Sequence, residues 1–154
     1  MKTAAQWFEE YGESHRNPTN KAIHWICVPV IFWTVTALLY SIPFPFFKHE
    51  IAGNWAALIM VFVTAYYFRL APSLGVGMAS FSVFCLWLSS FLTSAIALPL
   101  WQVAIAAFVI AWIGQFVGHS IEGKRPSFLK DLQFLLIGPA WLLGFVYRKA
   151  GIAY

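Results

Sequence analysis

Four long apolar segments follow one another along the chain, and each contains almost no ionisable residue. They cover about residues 19–40, 55–70, 76–98 and 100–117. Each approaches the roughly 20 apolar residues that an α-helix needs to cross about 30 Å of hydrocarbon. The pattern therefore predicts an all-α integral membrane bundle of about four transmembrane helices, and the length of 154 residues fits a single domain, 1–154.

The N-terminal residues 3–15 show a different pattern, which predicts a short amphipathic helix. One stripe of this helix collects the rings of Trp7, Phe8, Tyr11 and His15. Asn17-Pro18 then combines a helix-capping residue with a proline at the first helical position, so the first membrane helix should begin there.

The last apolar piece, residues 131–147, is shorter and is interrupted by Gly138-Pro139. Two alternatives fit this pattern. The piece is either a fifth crossing or a re-entrant or interfacial segment packed on the bundle. The interruption favours the second alternative, because broken backbone inside a membrane must be covered by protein.

The composition narrows the class of protein further. The chain is 60% hydrophobic and 10% charged, against about 25% charged residues in ordinary soluble domains. Lipid is therefore the expected solvent. The net charge of +4 comes without a basic run or a nucleic-acid-binding motif. The excess charge indicates anionic lipid beside the protein rather than a nucleic-acid partner.

Three of the four histidines lie at the ends of apolar segments. His15 and His24 stand at the start of the first segment, and His119 stands at the end of the fourth. Four crossings bring these ends to the same side of the membrane, whereas His49 falls on the other side. The positive-inside rule makes the histidine side cytoplasmic, since it also carries Lys2, Arg16, Lys21, Arg69, Lys124, Arg125 and Lys130.

A cluster of imidazoles at a membrane interface predicts a metal site. Asn20 and His24 share a helix face. Gln115 lies one turn before His119, and Glu122 follows it by three residues. Histidines with a carboxylate and open coordination positions suit non-haem Fe(II), although zinc accepts the same ligands. Glu122 is either a ligand or an ion-pair partner of the basic residues after it, and the sequence leaves both open.

Two further features lie beside these histidines. Arg16 and Lys124 are placed to anchor lipid headgroups or to receive the carboxylate of a fatty acid. Gly114 and Gly118 form a small-residue face that lets another helix approach closely. That face fits packing inside the bundle and packing in a homodimer equally well.

The two histidine motifs together resemble those of the 2-hydroxy fatty acid dioxygenase family, a group of small multi-pass membrane proteins. The first motif reads H-x-N-P-x-N-x-x-x-H and is followed by Val28-Pro29. The second reads W-I-G-Q-F-V-G-H, with E-G-K-R-P downstream. The likeness runs from about Trp7 to Trp141, which is nearly the whole chain.

The resemblance implies an oxidoreductase of fatty acid α-oxidation that uses Fe(II) and O2. Its substrate is a long-chain 2-hydroxy fatty acid, and its products are the acid one carbon shorter and CO2. Such a compact chain is expected in a bacterial inner membrane. The iron ligands implied by the resemblance are His15, His24 and His119.

Other residues also receive roles from the resemblance. The catalytic candidates beside the metal are Asn20, Gln115 and Glu122, and the substrate carboxylate is assigned to Arg16 or Lys124. Glu122 departs from the family pattern, in which the acidic residue stands four positions after the histidine rather than three. This departure leaves its role as a ligand open.

Two interpretations from other classes remain. The first is a zinc-dependent lipid hydrolase, or a hydroxylase, that uses the same histidines. The second is a non-catalytic membrane protein for lipid binding or transport, in which the histidines are structural. No charged residue lies near the middle of an apolar segment, which counts against a transport path.

Overall fold

The computed structural model describes residues 2–46, 52–123 and 134–154, and the regular structure in these ranges is helical throughout. The predicted all-α class is therefore confirmed, and the predicted segment 55–70 coincides with one of the helices. The helices are α1 Ala4–Gly12, α2 Pro18–Ser41, α3 Trp55–Leu70, α4 Pro72–Ala95, α5 Leu100–Ile121 and α6 Ile137–Lys149.

The helices begin where the local sequence provides a cap or a proline. Thr3 and Gln6 form a reciprocal capping box at the start of α1. The side-chain oxygen of Asn17 accepts a hydrogen bond of 2.9 Å from the N–H of Thr19, and Pro18 is the first residue of α2. The predicted Asn-Pro helix start is thus confirmed.

The outer surface of the bundle is apolar, as a lipid-facing surface must be. α2, α4 and α5 are each long and apolar enough to cross a membrane. α3 is shorter, with 16 residues and a length of about 24 Å. Large side chains on the outside include Ile110, which is 70% exposed, and Phe62, which is 68% exposed. The predicted membrane helical bundle is confirmed.

The centre of the bundle is α2, which contacts α3, α4, α5 and α6. Two glycines allow α5 to approach α2 closely. A Cβ atom at Gly118 would lie 2.4 Å from Oδ1 of Asn20, and one at Gly114 would lie 2.7 Å from Sγ of Cys27. The glycine face therefore serves the contact between α2 and α5 inside the bundle.

Among the described residues, the C-terminal helix is too short to cross a membrane by itself. α6 has 13 residues, about 20 Å. Its start lies inside the bundle, where the hydroxyl of Tyr67 donates a hydrogen bond of 2.5 Å to the carbonyl of Leu136. Its end lies at the histidine side, where the hydroxyl of Tyr147 donates to the carbonyl of Ser73 at 2.8 Å. These contacts fit the re-entrant alternative. Gly138-Pro139 falls in the first turn of α6, where a proline is tolerated.

Candidate metal centre

The three histidines that the crossing count predicts on one side of the membrane meet in the structure. His15 lies between α1 and α2, His24 in the second turn of α2, and His119 in the last turn of α5. The ring centroids are separated by 4.3 Å, 5.2 Å and 5.0 Å. One ring nitrogen from each histidine lies within 4.8 Å of the other two.

All three rings are buried, with exposed fractions of 3% for His15, 0% for His24 and 4% for His119. Their Nε2 atoms are also buried. The neutral imidazole is the form that binds metals.

Backbone carbonyls fix the orientation of two rings. Nδ1 of His15 is 2.6 Å from the carbonyl oxygen of Tyr11, and Nδ1 of His24 is 2.9 Å from that of Asn20. A carbonyl oxygen only accepts, so Nδ1 carries the hydrogen in both cases. The lone pair of each neutral ring is then on Nε2. Hydrogen bonds of this kind orient metal-binding histidines in proteins.

Two aromatic rings contact His15 in addition to the other histidines. Tyr11, one turn earlier, stacks on His15 with a centroid separation of 4.1 Å and an interplanar angle of 17°. Trp141 of α6 lies 5.5 Å from the same ring and 5.2 Å from Tyr11. The amphipathic stripe identifies Tyr11 as a packing residue. The role of Trp141 has no local signal, because it depends on where α6 packs.

The carboxylate of Glu122 joins the end of α5 to the corner between α1 and α2. One oxygen accepts from the backbone N–H of Arg16 at 2.8 Å. The other accepts from the N–H of Asn17 at 2.8 Å and from Nδ2 of Asn20 at 3.0 Å. Glu122 lies outside the group of donor atoms that His15, His24 and His119 form. In this structure Glu122 therefore connects the end of α5 to the segment between α1 and α2 through hydrogen bonds.

The pKa of the Glu122 carboxyl is lowered, although its partial burial acts in the opposite direction. The hydrogen bonds from the Asn20 side chain and from the backbone N–H groups of Asn17 and Arg16 outweigh the loss of hydration. The group is therefore a carboxylate at neutral pH. We refer to this carboxylate and its three hydrogen-bond donors, from Arg16, Asn17 and Asn20, as the Glu122 clamp.

The other predicted site residues occupy distinct positions. Asn20 is fully buried and bridges Glu122 and the carbonyl of Ser14, to which Nδ2 donates at 3.0 Å. Gln115 is buried and lines a small cavity near the histidines. Arg16 contributes its backbone N–H to the clamp, and its side chain is exposed. Lys124 lies outside the described residues.

The fold and the histidines together define a helical membrane protein with a buried three-histidine centre at one end of the bundle. Comparison with known proteins gives its family. The family model described as "Mpo1-like: 2-hydroxy-palmitic acid dioxygenase Mpo1-like" matches residues 1–150, and the chain belongs to this family. The resemblance stated from the two histidine motifs is confirmed.

A curated relative supports the same assignment. The 2-hydroxy-palmitic acid dioxygenase MPO1 of Saccharomyces cerevisiae is 28% identical over 131 residues, which cover 84% of this chain and 71% of that protein. No solved structure matches the chain.

Proposed function

We propose that this protein is an Fe(II)-dependent dioxygenase that converts a long-chain 2-hydroxy fatty acid to the acid one carbon shorter. The observation that carries the proposal is the buried cluster of His15, His24 and His119 at the end of two membrane-spanning helices. Membership of a family described by 2-hydroxy-palmitic acid dioxygenase activity supports it.

The residues present fit a divalent metal ion. Nδ1 of His15 and Nδ1 of His24 each lie against a backbone carbonyl, and one ring nitrogen from each of His15, His24 and His119 lies within 4.8 Å of the other two. Three protein ligands leave coordination positions for other molecules. A bound Fe(II) would supply these open positions for the hydroxyl and carboxylate of the substrate, and would supply the redox chemistry for O2.

The proposed reaction balances without another reductant. RCH(OH)COOH and O2 give RCOOH, CO2 and H2O. The bond between the carboxyl carbon and the hydroxyl-bearing carbon breaks, and the carboxyl carbon leaves as CO2. The hydroxyl-bearing carbon is oxidised to the new carboxyl group, so the substrate provides all the electrons that reduce O2. No nucleotide-binding fingerprint is needed, and the sequence contains none of the G-x-G-x-x-G type.

The chain's own residues then have positioning and binding roles. The Glu122 clamp, which includes Asn20, holds the segment that carries His15 against the end of α5. Gln115 faces a small cavity one turn before His119 and is placed to orient a polar group there. Arg16 or Lys124 attracts the carboxylate of the substrate.

The direct test uses purified protein in detergent, loaded with Fe(II) and supplied with 2-hydroxyhexadecanoate and oxygen. We expect mass spectrometry to detect the acid one carbon shorter, with oxygen consumed in equal amount. Protein loaded with Zn(II) is expected to be inactive. Formation of the shorter acid without oxygen, or by the Zn(II)-loaded protein, would contradict the proposed reaction. The absence of any product from folded, iron-loaded protein would overturn the proposed reaction.

We further infer that the histidine side faces the cytoplasm of a bacterial cell. Because α6 ends beside Ser73 on this side, its Arg148 and Lys149 add to the basic residues there. We expect green fluorescent protein fused after Tyr154 to fluoresce in bacteria and alkaline phosphatase fused there to be inactive. Fusions after Ile96, between α4 and α5, should behave in the opposite way. An active phosphatase at the C-terminus would show that the histidine side faces away from the cytoplasm.

A further inference from the structure

A small cavity lies about one helical turn deeper in the bundle than the histidine cluster, among residues that neighbour the histidines. Its volume is about 20 Å³, and its lining includes Tyr11, Gln115 and Leu135. Tyr11 stacks on His15, and Gln115 precedes His119 by one helical turn. A water molecule needs about 10–15 Å³ of such space. The cavity is therefore too small to contain a long acyl chain by itself.

A larger cleft lies between α2 and α3, deeper in the membrane part of the bundle. Its volume is about 330 Å³, within the usual range of about 300–1,000 Å³ for pockets that bind small molecules. All of its lining residues are apolar. Val35 of α2 and Val63 of α3 stand on opposite walls, and both are half-buried. Such a lining suits a hydrocarbon chain and offers nothing to a polar ligand.

One residue connects the two spaces. Leu135 lines both the small cavity and the cleft. It lies in the turn before α6, and the hydrogen bond from Tyr67 to the carbonyl of Leu136 holds that turn against α3. A molecule that extends from the histidines into the cleft would therefore pass the side chain of Leu135.

The distance along α2 indicates how long that molecule must be. The cleft is lined by α2 from Phe32 to Leu39. These residues follow His24 by 8 and 15 positions (32 − 24 and 39 − 24), which at 1.5 Å per residue corresponds to about 12 Å and about 22 Å. A short acyl chain with its head group at the histidines would not reach the cleft, whereas a long one would enter it.

We propose that the cleft between α2 and α3 holds the acyl tail of a long-chain 2-hydroxy acid whose head group lies at the histidine cluster, and that it selects for chain length. The proposal rests on the proposed function. It makes Val35 and Val63 specificity-determining residues, although neither lies near the reacting carbon.

A still larger apolar groove offers a different location for the tail. It lies between α3 and α4, has a volume of about 760 Å³, and includes Val83 among its lining residues. None of its lining residues also lines the small cavity beside the histidines. The cleft is favoured because Leu135 joins it to that cavity. Val83 consequently provides a matched control.

The experiment compares Val35→Trp, Val63→Trp and Val83→Trp with the unmodified protein, all loaded with Fe(II), on 2-hydroxyhexanoate and 2-hydroxyhexadecanoate. Tryptophan at Val35 or Val63 would fill the cleft. Each methylene that is buried contributes about fourfold to binding, so excluding a few of them should raise KM for the long acid by about tenfold or more. The short acid should be oxidised with unchanged KM by every variant, and Val83→Trp should resemble the unmodified protein on both acids.

The possible outcomes separate the cleft from the reaction. If the unmodified protein oxidises neither acid, the proposed function is overturned, and the cleft proposal, which rests on it, is overturned as well. If both are oxidised and the cleft variants change both KM values equally, the cleft proposal alone is overturned. It is also overturned if Val83→Trp raises KM for the long acid while Val35→Trp and Val63→Trp leave it unchanged. A photoreactive diazirine at the end of the long acid gives a second measurement. It should label peptides of α2 and α3 in the unmodified protein, and labelling confined to α4 would contradict the cleft.

Discussion

Replacing His24 with alanine is expected to leave the protein without stably bound iron and to lower its oxidation of 2-hydroxyhexadecanoate by more than about 100-fold. Loss of groups that only orient a metal ligand typically costs about 10- to 100-fold in metal affinity or activity, and loss of a ligand should cost more. His24 is fully buried, with Nδ1 held by the carbonyl of Asn20, so no solvent-exposed side chain can take its place easily. We expect the same result for His119→Ala.

The measurement is iron content per protein by mass spectrometry, taken after removal of weakly bound metal. Removing a buried imidazole leaves a cavity, so thermal unfolding in detergent must show that the variant is folded. His49→Ala is the matched control. His49 lies outside the described residues, and the crossing count predicts it on the other side of the membrane. Full iron content in both His24→Ala and His119→Ala would show that these histidines are not metal ligands.

Replacing Glu122 with glutamine is expected to weaken iron binding by about 10- to 100-fold while the protein still reaches full occupancy at high iron concentration. A glutamine side chain has one oxygen acceptor, and its NH2 group would face N–H donors. The clamp uses both carboxylate oxygens for three donors, those of Arg16, Asn17 and Asn20. Its loss would loosen the corner that carries His15, because hydrogen bonds to a charged group are stronger than neutral ones.

Two measurements separate this positioning role from direct binding of the metal by Glu122. Titration with Fe(II) gives the affinity, and the visible spectrum of the Co(II)-loaded protein reports the ligands themselves. We expect the affinity to fall and the Co(II) spectrum to keep its band positions. Glu13→Gln, at an exposed carboxylate in the same corner, should change neither. A shifted Co(II) spectrum in Glu122→Gln would show that the carboxylate is a metal ligand. An unchanged Fe(II) affinity would show that the clamp does not contribute to metal binding.

The elements with strong local signals could be predicted from the sequence. Asn17-Pro18 begins α2 because both residues favour a helix start through their own backbone and side-chain chemistry. The bounds of α3 follow from an apolar run that ends at Ala71-Pro72. The meeting of the histidines follows from counting crossings, since an even number of spans returns the chain to the side on which it started.

The contacts that hold the centre together could not be predicted in this way. Glu122 binds backbone N–H groups of residues that precede it by more than 100 positions, and a backbone N–H has no signature in a sequence. The neighbouring lysine and arginine suggested an ion pair instead. Trp141 reaches His15 only because α6 turns back towards the histidine side. Such tertiary contacts depend on the packing of whole helices, and no local spacing encodes them.

The stacking of Tyr11 and Trp141 around His15 has a consequence for when the centre can form during biosynthesis. The histidine of the cluster that is made first contacts a side chain of α6, which is made after the other described helices. A nascent chain that has not yet produced α6 has all three histidines but lacks one wall of their enclosure. The three histidines are therefore expected to become enclosed only after α6 has been synthesised and has packed on the bundle.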